Sequence, residues 1–330
     1  MKVLKFFHFF LIIFFSNLNA QNKDEYFVNK ANFAEKFIKI KKDTITFLIS
    51  KSKSIINKPT ILFIQGSGPL PIVFYDDKSV NSIIPFSIKE YSDKYNFVII
   101  ARKGIPLIGT YDKDATGYLN KQGKIPFEYT RNDNLEYRVW QVKQVLNYLH
   151  KNFNKESIFV IGHSEGYRVA SKLSENNRKI SKLVCMSADP FNRITENILR
   201  ERIGCFEKKD DVSSQLEIDK LIDDYKNLSR SKIEYKNSIG FVNWLSYNEN
   251  FSYESLKKFK NPILIVYGGN DIGSIHNDLL PFLLPKTNIT LKAYPNYGHN
   301  FEKKNLILIK SQLKIATIGM KFLMMYKIGL

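Results

Sequence analysis

The sequence predicts an α/β fold: a mainly parallel, doubly wound, eight-stranded sheet with helices on its faces and a helical cap inserted late in the chain. Three observations predict it. Short β-branched and aromatic runs recur along the chain and alternate with longer segments of helical spacing. Several of these runs end in loops rich in glycine, asparagine or aspartate, which is where open α/β sheets gather their ligand-binding groups. One run, Ile158-Phe-Val-Ile-Gly-His-Ser-Glu-Gly166, passes from strand to helix through a serine with a glycine two positions away on either side.

The elements follow in order. Residues 1–20 stand apart: a basic start at Lys2 and Lys5, an apolar run from Phe6 to Phe15 and a small polar exit ending at Ala20 read as a secretory signal peptide. Export to the periplasm or beyond follows from it. Residues 33–40 and 44–50, joined at Lys42-Asp43, read as an antiparallel hairpin. Further strands are expected at 60–65, 97–101, 157–161, 180–187, 262–267 and 288–294. From Asn134 to Lys151, apolar residues at Leu135, Val139, Val142, Leu146 and Leu149 mark one face of a helix that packs on the sheet. Residues 104–132 read as a Gly/Tyr/Lys-rich loop, and residues 190–258 as a charged, mostly helical cap. The organisation is therefore a leader at 1–20, a core from 21–189 and 259–330, and a cap insertion at 190–258.

The chemistry starts at Ser164. A strand that turns sharply into a helix holds its central residue in a strained backbone, and Gly162 and Gly166 leave room for that turn. The serine hydroxyl is then exposed at the C-terminal end of the strand. An elbow serine is followed in the chain first by an acid and then by a histidine. Of five histidines, His8 lies in the leader, His150 near a helix end and His163 inside the elbow, pointing away from the nucleophile, which leaves His276 and His299. His299 follows the extended run 288–294 in a turn-rich loop from which it can reach back to the serine. Asp271 follows the strand 262–267 in the loop Gly268-Gly-Asn-Asp271. Taken singly, Asp271 reads as a loop cap and His299 as a solvated loop histidine. The order Ser164, Asp271, His299, each after its own strand, joins them as a triad. After the strand 60–65 comes Gly66-Ser67-Gly68-Pro69, whose backbone supplies an oxyanion donor at Ser67, with Gly66 as the alternative; the second donor is the N–H of Glu165. The loop lacks the Gly-Lys-Ser/Thr ending of a phosphate loop. The Glu165 carboxylate needs no catalytic role, because an acid in the first turn of a helix is favoured by the dipole.

On these residues the chain resembles the α/β-hydrolase superfamily from about residue 33 to about 310. More narrowly, it resembles bacterial serine esterases whose loops read Gly-Ser-Gly-Pro and Gly-His-Ser-Glu-Gly. Asn243-Trp-Leu-Ser-Tyr247 and the Lys-rich entry Leu256 to Pro262 match a Trp-containing cap segment and the approach to the acid strand of those esterases. The resemblance implies carboxylester hydrolysis with Ser164, Asp271 and His299 as the triad. The chain departs from the pattern at Leu70-Pro-Ile72, at Arg102-Lys-Gly104 and at Tyr167-Arg168, which leaves acyl and alcohol preferences open. Phe241, Trp244 and Tyr247 are candidates for the substrate pocket, with simple packing of the cap as the competing reading. A serine peptidase or amidase on the same fold is the alternative function. It would need an acid for the substrate amine, for which Glu201, Glu207, Asp210 and Asp211 are candidates. A hydrolase-shaped binding protein without activity is the third reading.

Composition bounds the rest. At 330 residues with 44% apolar content the chain can bury a large core as one domain, and a mean hydropathy of −0.26 fits a soluble globule. The net charge of +18 comes from scattered lysines without a basic stripe interleaved with aromatics, so nucleic acid is not an expected partner. No Cys/His cluster predicts a metal and no motif predicts a cofactor. Cys185, inside an apolar strand, and Cys205 read as two unrelated thiols in a compartment that would permit a bridge. The apolar tail from Lys303 carries Lys310, Lys314, Lys321 and Lys327, too many charges for a spanning helix. It reads equally as a terminal helix on the sheet or as an amphipathic segment touching a membrane surface.

Overall fold

A computed structural model of the chain describes residues 24–51, 58–110, 117–153, 157–204, 210–230 and 239–303. Residues 1–20, expected as a leader, Cys205 and the tail beyond Lys303 lie outside the described residues. The strands are β1 (Phe33–Ile40), β2 (Asp43–Ser50), β3 (Thr60–Ile64), β4 (Val73–Tyr75), β5 (Val80–Ser82), β6 (Asn96–Ile100), β7 (Ile108–Thr110), β8 (Ile158–His163), β9 (Lys182–Met186), β10 (Ile263–Gly268) and β11 (Ile289–Tyr294). The helices used below are α1 (24–30), α2 (Ile88–Tyr91), α3 (Phe127–Asn132), α4 (Leu135–Asn152), α5 (Glu165–Ser174), α6 (Arg193–Arg202), α7 (Asp211–Arg230), α8 (Ile239–Asn248) and α9 (Ser252–Lys258).

Eight strands form one sheet in the order β1-β2-β6-β3-β8-β9-β10-β11. The β1–β2 and β2–β6 pairs are antiparallel and every later pair is parallel. The expected eight-stranded, mainly parallel, doubly wound sheet is the one found. The order doubles back between β3 and β8, so the loops after β3 and β8 open side by side at the C-terminal edge. Ligands bind at such reversals of strand order.

The strands at the centre read as unbroken apolar runs because both faces are covered. Leu62 and Ile64 of β3 join one buried cluster, with Val145, Leu146 and Leu149 of α4 and Val169 of α5. Ile61 and Phe63, one residue out of phase, join the cluster on the opposite face, with Phe97 and Ile99 of β6 and Phe86. Alternation along a strand thus sends successive side chains into two separate cores. Helix α4 begins where the spacing predicts, with the Asn134 side chain accepting the Tyr137 N–H at 2.8 Å. Cys185 is a free thiol in the core, and burial pushes its pKa up to about 12.

The stretch at 104–132, expected as a loop, contains β7 and α3. Strand β7 pairs with β4, which pairs with β5, making a small second sheet. Strands of three residues are too short for hydropathy alternation to register. Residues 190–258 contain α6, α7, α8 and α9, and Leu256 of α9 returns the chain to the main core. Among the described residues no helix is long and apolar enough to cross a membrane.

Candidate active site

Ser164 sits between β8 and α5 at φ 56°, ψ −123°. A non-glycine residue at positive φ costs free energy and persists only where its surroundings fix it. Here the Ser164 N–H donates to the Met186 carbonyl oxygen at 2.8 Å. A Cβ on Gly166 would overlap the Ile64 carbonyl oxygen, and one on Gly162 would overlap that of Gly166. The two glycines therefore let α5 start directly against β3 and β8.

Asp271 and His299 come from the loops after β10 and β11. His299 Nε2 lies 3.0 Å from Ser164 Oγ, and its Nδ1 lies 2.9 Å from Asp271 Oδ2. A carboxylate oxygen only accepts, so Nδ1 carries the proton and Nε2 is left to accept from the serine hydroxyl. Asp271 is 3% exposed and also accepts from Ser274 Oγ. Burial works against its charge, yet the His299 bond and charge, Ser274 and Arg200 together hold its pKa below the usual carboxylate value. For His299, burial lowers the pKa, and the bond and charge of Asp271 outweigh it, leaving it above the ordinary histidine value.

The sequence alone suggests that His163 points away from the nucleophile; the fold gives it a supporting position. Its Nε2–H donates to the His299 carbonyl oxygen at 3.3 Å, and the two rings lie 5.3 Å apart. Burial first, and the neighbouring His299 second, push its pKa down to about 4, so it stays neutral and keeps that donor role.

Glu165 N–H is at the first position of α5, where no residue of the helix can accept it. Ser67 lies on the walls of both cavities that reach Ser164. Gly66 packs tightly here, since a Cβ on it would lie 3.0 Å from Ser164 Cβ. The side chain of Glu165 is held by more than a helix dipole. Its Oε1 accepts from Arg138 Nη1 at 2.6 Å and Arg102 Nη2 at 3.4 Å, and its Oε2 from Arg193 Nη1 at 3.2 Å. Burial opposes the charge, but Arg138, Arg102 and Arg193 keep the carboxyl ionised. Arg138 Nη2 also donates to the Gln65 carbonyl oxygen at 2.6 Å, just before the loop that bears Ser67. A sequence signal existed for Arg138: it lies three residues after Leu135 and four before Val142, on the buried face of α4.

Among the described residues, two cavities meet at Ser164. One, of about 410 Å³, lies beneath α6 and is walled by charged groups, among them Arg193, Glu196, Arg200 and Glu302. The other, of about 280 Å³, is walled mostly by apolar side chains, among them Leu70, Ile83, Met186 and Phe301. Trp244 and Tyr247, candidates for the pocket wall, line neither. Tyr247 is 1% exposed in the main core, and Trp244 packs edge-on to Tyr225 of α7, ring centroids 5.8 Å apart. The reason is that α8 is docked on the core side, where Ser246 Oγ accepts the Leu135 N–H at 3.0 Å. The side chain of Phe241 lies outside the described residues. Of the acids considered for a substrate amine, Glu207 lies outside the described residues, Asp210 accepts from the Ser213 N–H at 2.7 Å, and neither Glu201 nor Asp211 lines the charged cavity.

No family model and no curated protein sequence matches the chain. Solved structures do. Est1E from Butyrivibrio proteoclasticus, with ferulic acid bound, superposes with a TM-score of 0.53 at 15% identity, over 89% of this chain and 100% of Est1E. An acylaminoacyl peptidase from Pyrococcus horikoshii gives a TM-score of 0.50 at 13% identity, over 89% of this chain but 42% of the peptidase. This chain thus spans under half the length of that peptidase. Identities this low speak to architecture, and on architecture they agree with the mainly parallel eight-stranded sheet and its flanking helices: the chain has the α/β-hydrolase fold.

Proposed function

We propose that the protein is a serine hydrolase that cleaves small carboxylic esters through an acyl-enzyme. One observation carries the reading: the continuous hydrogen-bonded line from Ser164 Oγ through the His299 ring to the buried Asp271, at 3.0 and 2.9 Å. His299 takes the Ser164 proton as the oxygen attacks the carbonyl carbon. Asp271 fixes the imidazole tautomer and stabilises the imidazolium. The N–H groups of Ser67 and Glu165 receive the oxyanion. His299 then returns the proton to the departing alkoxide, and water, activated by the same histidine, releases the acid. The leader at residues 1–20 supports action outside the cytoplasm.

An aminopeptidase on this scaffold would need a free carboxylate for the substrate amine. Glu196 is the acid of α6 in the cavity, and it is already engaged by Arg168 at 3.0 Å and by Arg200 at 2.9 Å. Glu302, on the same wall, bonds the Asn300 N–H and is the carboxylate left for an amine, so the parallel anilide assay decides between the two readings.

The test is labelling by a fluorophosphonate probe, wild type beside Ser164→Ala, with p-nitrophenyl esters and aminoacyl-p-nitroanilides assayed in parallel. Labelling lost in Ser164→Ala with ester turnover down about 10⁴–10⁶-fold supports the proposal. Anilide turnover without ester turnover replaces it by a peptidase. No labelling of folded wild type replaces it by a binding protein.

A further inference from the structure

The two cavities differ in chemistry, and the charged one holds an arginine that is bonded through one nitrogen and otherwise exposed on the wall. Arg193 stands at the first position of α6, where the helix dipole opposes a positive charge. Its side chain is 41% exposed on the cavity wall, while Glu165, its partner at 3.2 Å, is 6% exposed. From behind, Arg138 and Arg102, whose side chains are both 5% exposed, bond Oε1 of Glu165, while Oε2 takes Arg193 Nη1. That bond uses one Nη of Arg193 and leaves the rest of its guanidinium exposed on the cavity wall.

The charges around the cavity make the same point. Arg168 and Arg200 are matched by Glu196 and Asp271. Among the described residues, the carboxylates that face Arg102, Arg138 and Arg193 are Glu165 and Asp133. Counted with Glu302 the five arginines and five carboxylates balance, and Arg193 is the most exposed of the arginines. Glu302, on the cavity wall beside His299, folds back to accept the Asn300 N–H at 2.8 Å. Across Ser164 the second cavity offers mainly apolar walls. A substrate spanning both would place an apolar group on one side and an anion on the other.

We infer that Arg193 binds a carboxylate on the substrate, so that the enzyme acts on esters carrying one anionic and one small apolar moiety. The inference rests on the serine-hydrolase reading and adds the substrate class. Arg193 offers the planar fork that suits a carboxylate, and a half-exposed guanidinium can keep Glu165 while it takes a second anion.

The test compares matched esters that differ only in charge. With the anion on the alcohol side, 4-acetoxybenzoate is set against 4-acetoxybenzamide. With the anion on the acyl side, monoethyl glutarate is set against its neutral amide, ethyl 4-carbamoylbutanoate. Each is assayed on wild type, Arg193→Gln and Arg193→Lys. The wild type is expected to favour the anionic member of one pair by about tenfold to a hundredfold in kcat/KM. That ratio is expected to collapse towards one in Arg193→Gln and to recover in part in Arg193→Lys. Using the ratio cancels any effect Arg193 has on the elbow through Glu165. Equal rates within both pairs for a wild type that the fluorophosphonate labels overturn the inference and leave the serine hydrolase standing. A preference that survives unchanged in Arg193→Gln or, should that variant not fold, stays undiminished in Arg193→Lys also overturns it. A wild type that is folded but unlabelled removes both.

Discussion

Arg138 Nη1 lies 2.6 Å from Glu165 Oε1, and the same guanidinium reaches the Gln65 carbonyl oxygen at 2.6 Å through Nη2. Glu165 follows the nucleophile in the chain, and Gln65 precedes the loop of Gly66 and Ser67. One planar fork therefore ties together the two segments whose N–H groups would face the oxyanion. Lysine has a single point charge and cannot span both acceptors. Arg138→Lys is expected to lower kcat by about 10- to 100-fold with a smaller change in KM, because a donor displaced by a fraction of an ångström loses most of its value. Steady-state kinetics on a p-nitrophenyl ester decide it, and a rise in KM at constant kcat would show that Arg138 positions substrate rather than the oxyanion donors.

Two glycines near the serine should fail in different ways. Gly166→Ala forces a Cβ onto the Ile64 carbonyl oxygen, a backbone atom that cannot step aside. It is expected to destabilise the fold by at least about 1–3 kcal/mol. Gly66→Ala puts its Cβ 3.0 Å from Ser164 Cβ and 3.4 Å from Oγ. That variant is expected to stay folded and lose turnover. Urea unfolding and ester kinetics on both separate the cases; loss of stability in Gly66→Ala and not in Gly166→Ala would reverse the assignment.

These contrasts show which parts of the site were legible in the sequence. Ser164, Asp271 and His299 could be picked out because Ser164 and Asp271 follow apolar strands, His299 follows an extended run, and each sits in a glycine-bearing loop, a signal local to a dozen residues. The Glu165 cluster was not legible, since Arg102, Arg138, Glu165 and Arg193 come from four separate stretches and meet only after the sheet is assembled. A buried arginine on an apolar helix face was the one available hint. Trp244 and Tyr247 misled for the converse reason: an aromatic in a cap segment reads the same whether it faces a cavity or the core, and α8 turns Tyr247 to the core.

The pH dependence of turnover follows from the His299–Asp271 pair. His299 must be neutral to accept the Ser164 proton, and Asp271 holds its pKa above the ordinary histidine value of about 6.5. Activity is therefore expected to rise with pH through an apparent pKa above about 6.5 and to be low in mild acid. The stability contribution of the raised histidine has the opposite sign. It is fully present below the unfolded pKa and is lost as pH rises through the folded one. A kcat/KM profile whose acid limb falls below pH 6 would show that the pair is not formed in the free enzyme.

A second histidine–carboxylate pair makes its own prediction. His276 Nδ1 bonds to Asp189 Oδ2, joining the helical turn after Asp271 to the loop that leads into α6. Asp189 is fully buried and its other oxygen accepts the Phe191 N–H at 2.7 Å. The bond to Asp189 raises the His276 pKa and, with the Asp189 charge, outweighs the burial that lowers it. For a raised histidine the extra stability is complete below the unfolded pKa and disappears as pH climbs through the folded value. His276→Gln keeps a donor but cannot be charged. Urea midpoints are therefore expected to separate wild type from His276→Gln most at pH 5, with the gap narrowing steadily through neutrality towards pH 9. A gap that stays constant over that range would mean that the His276 pKa is the same in the folded and unfolded chain, and one that widens would mean that His276 is held neutral in the folded protein.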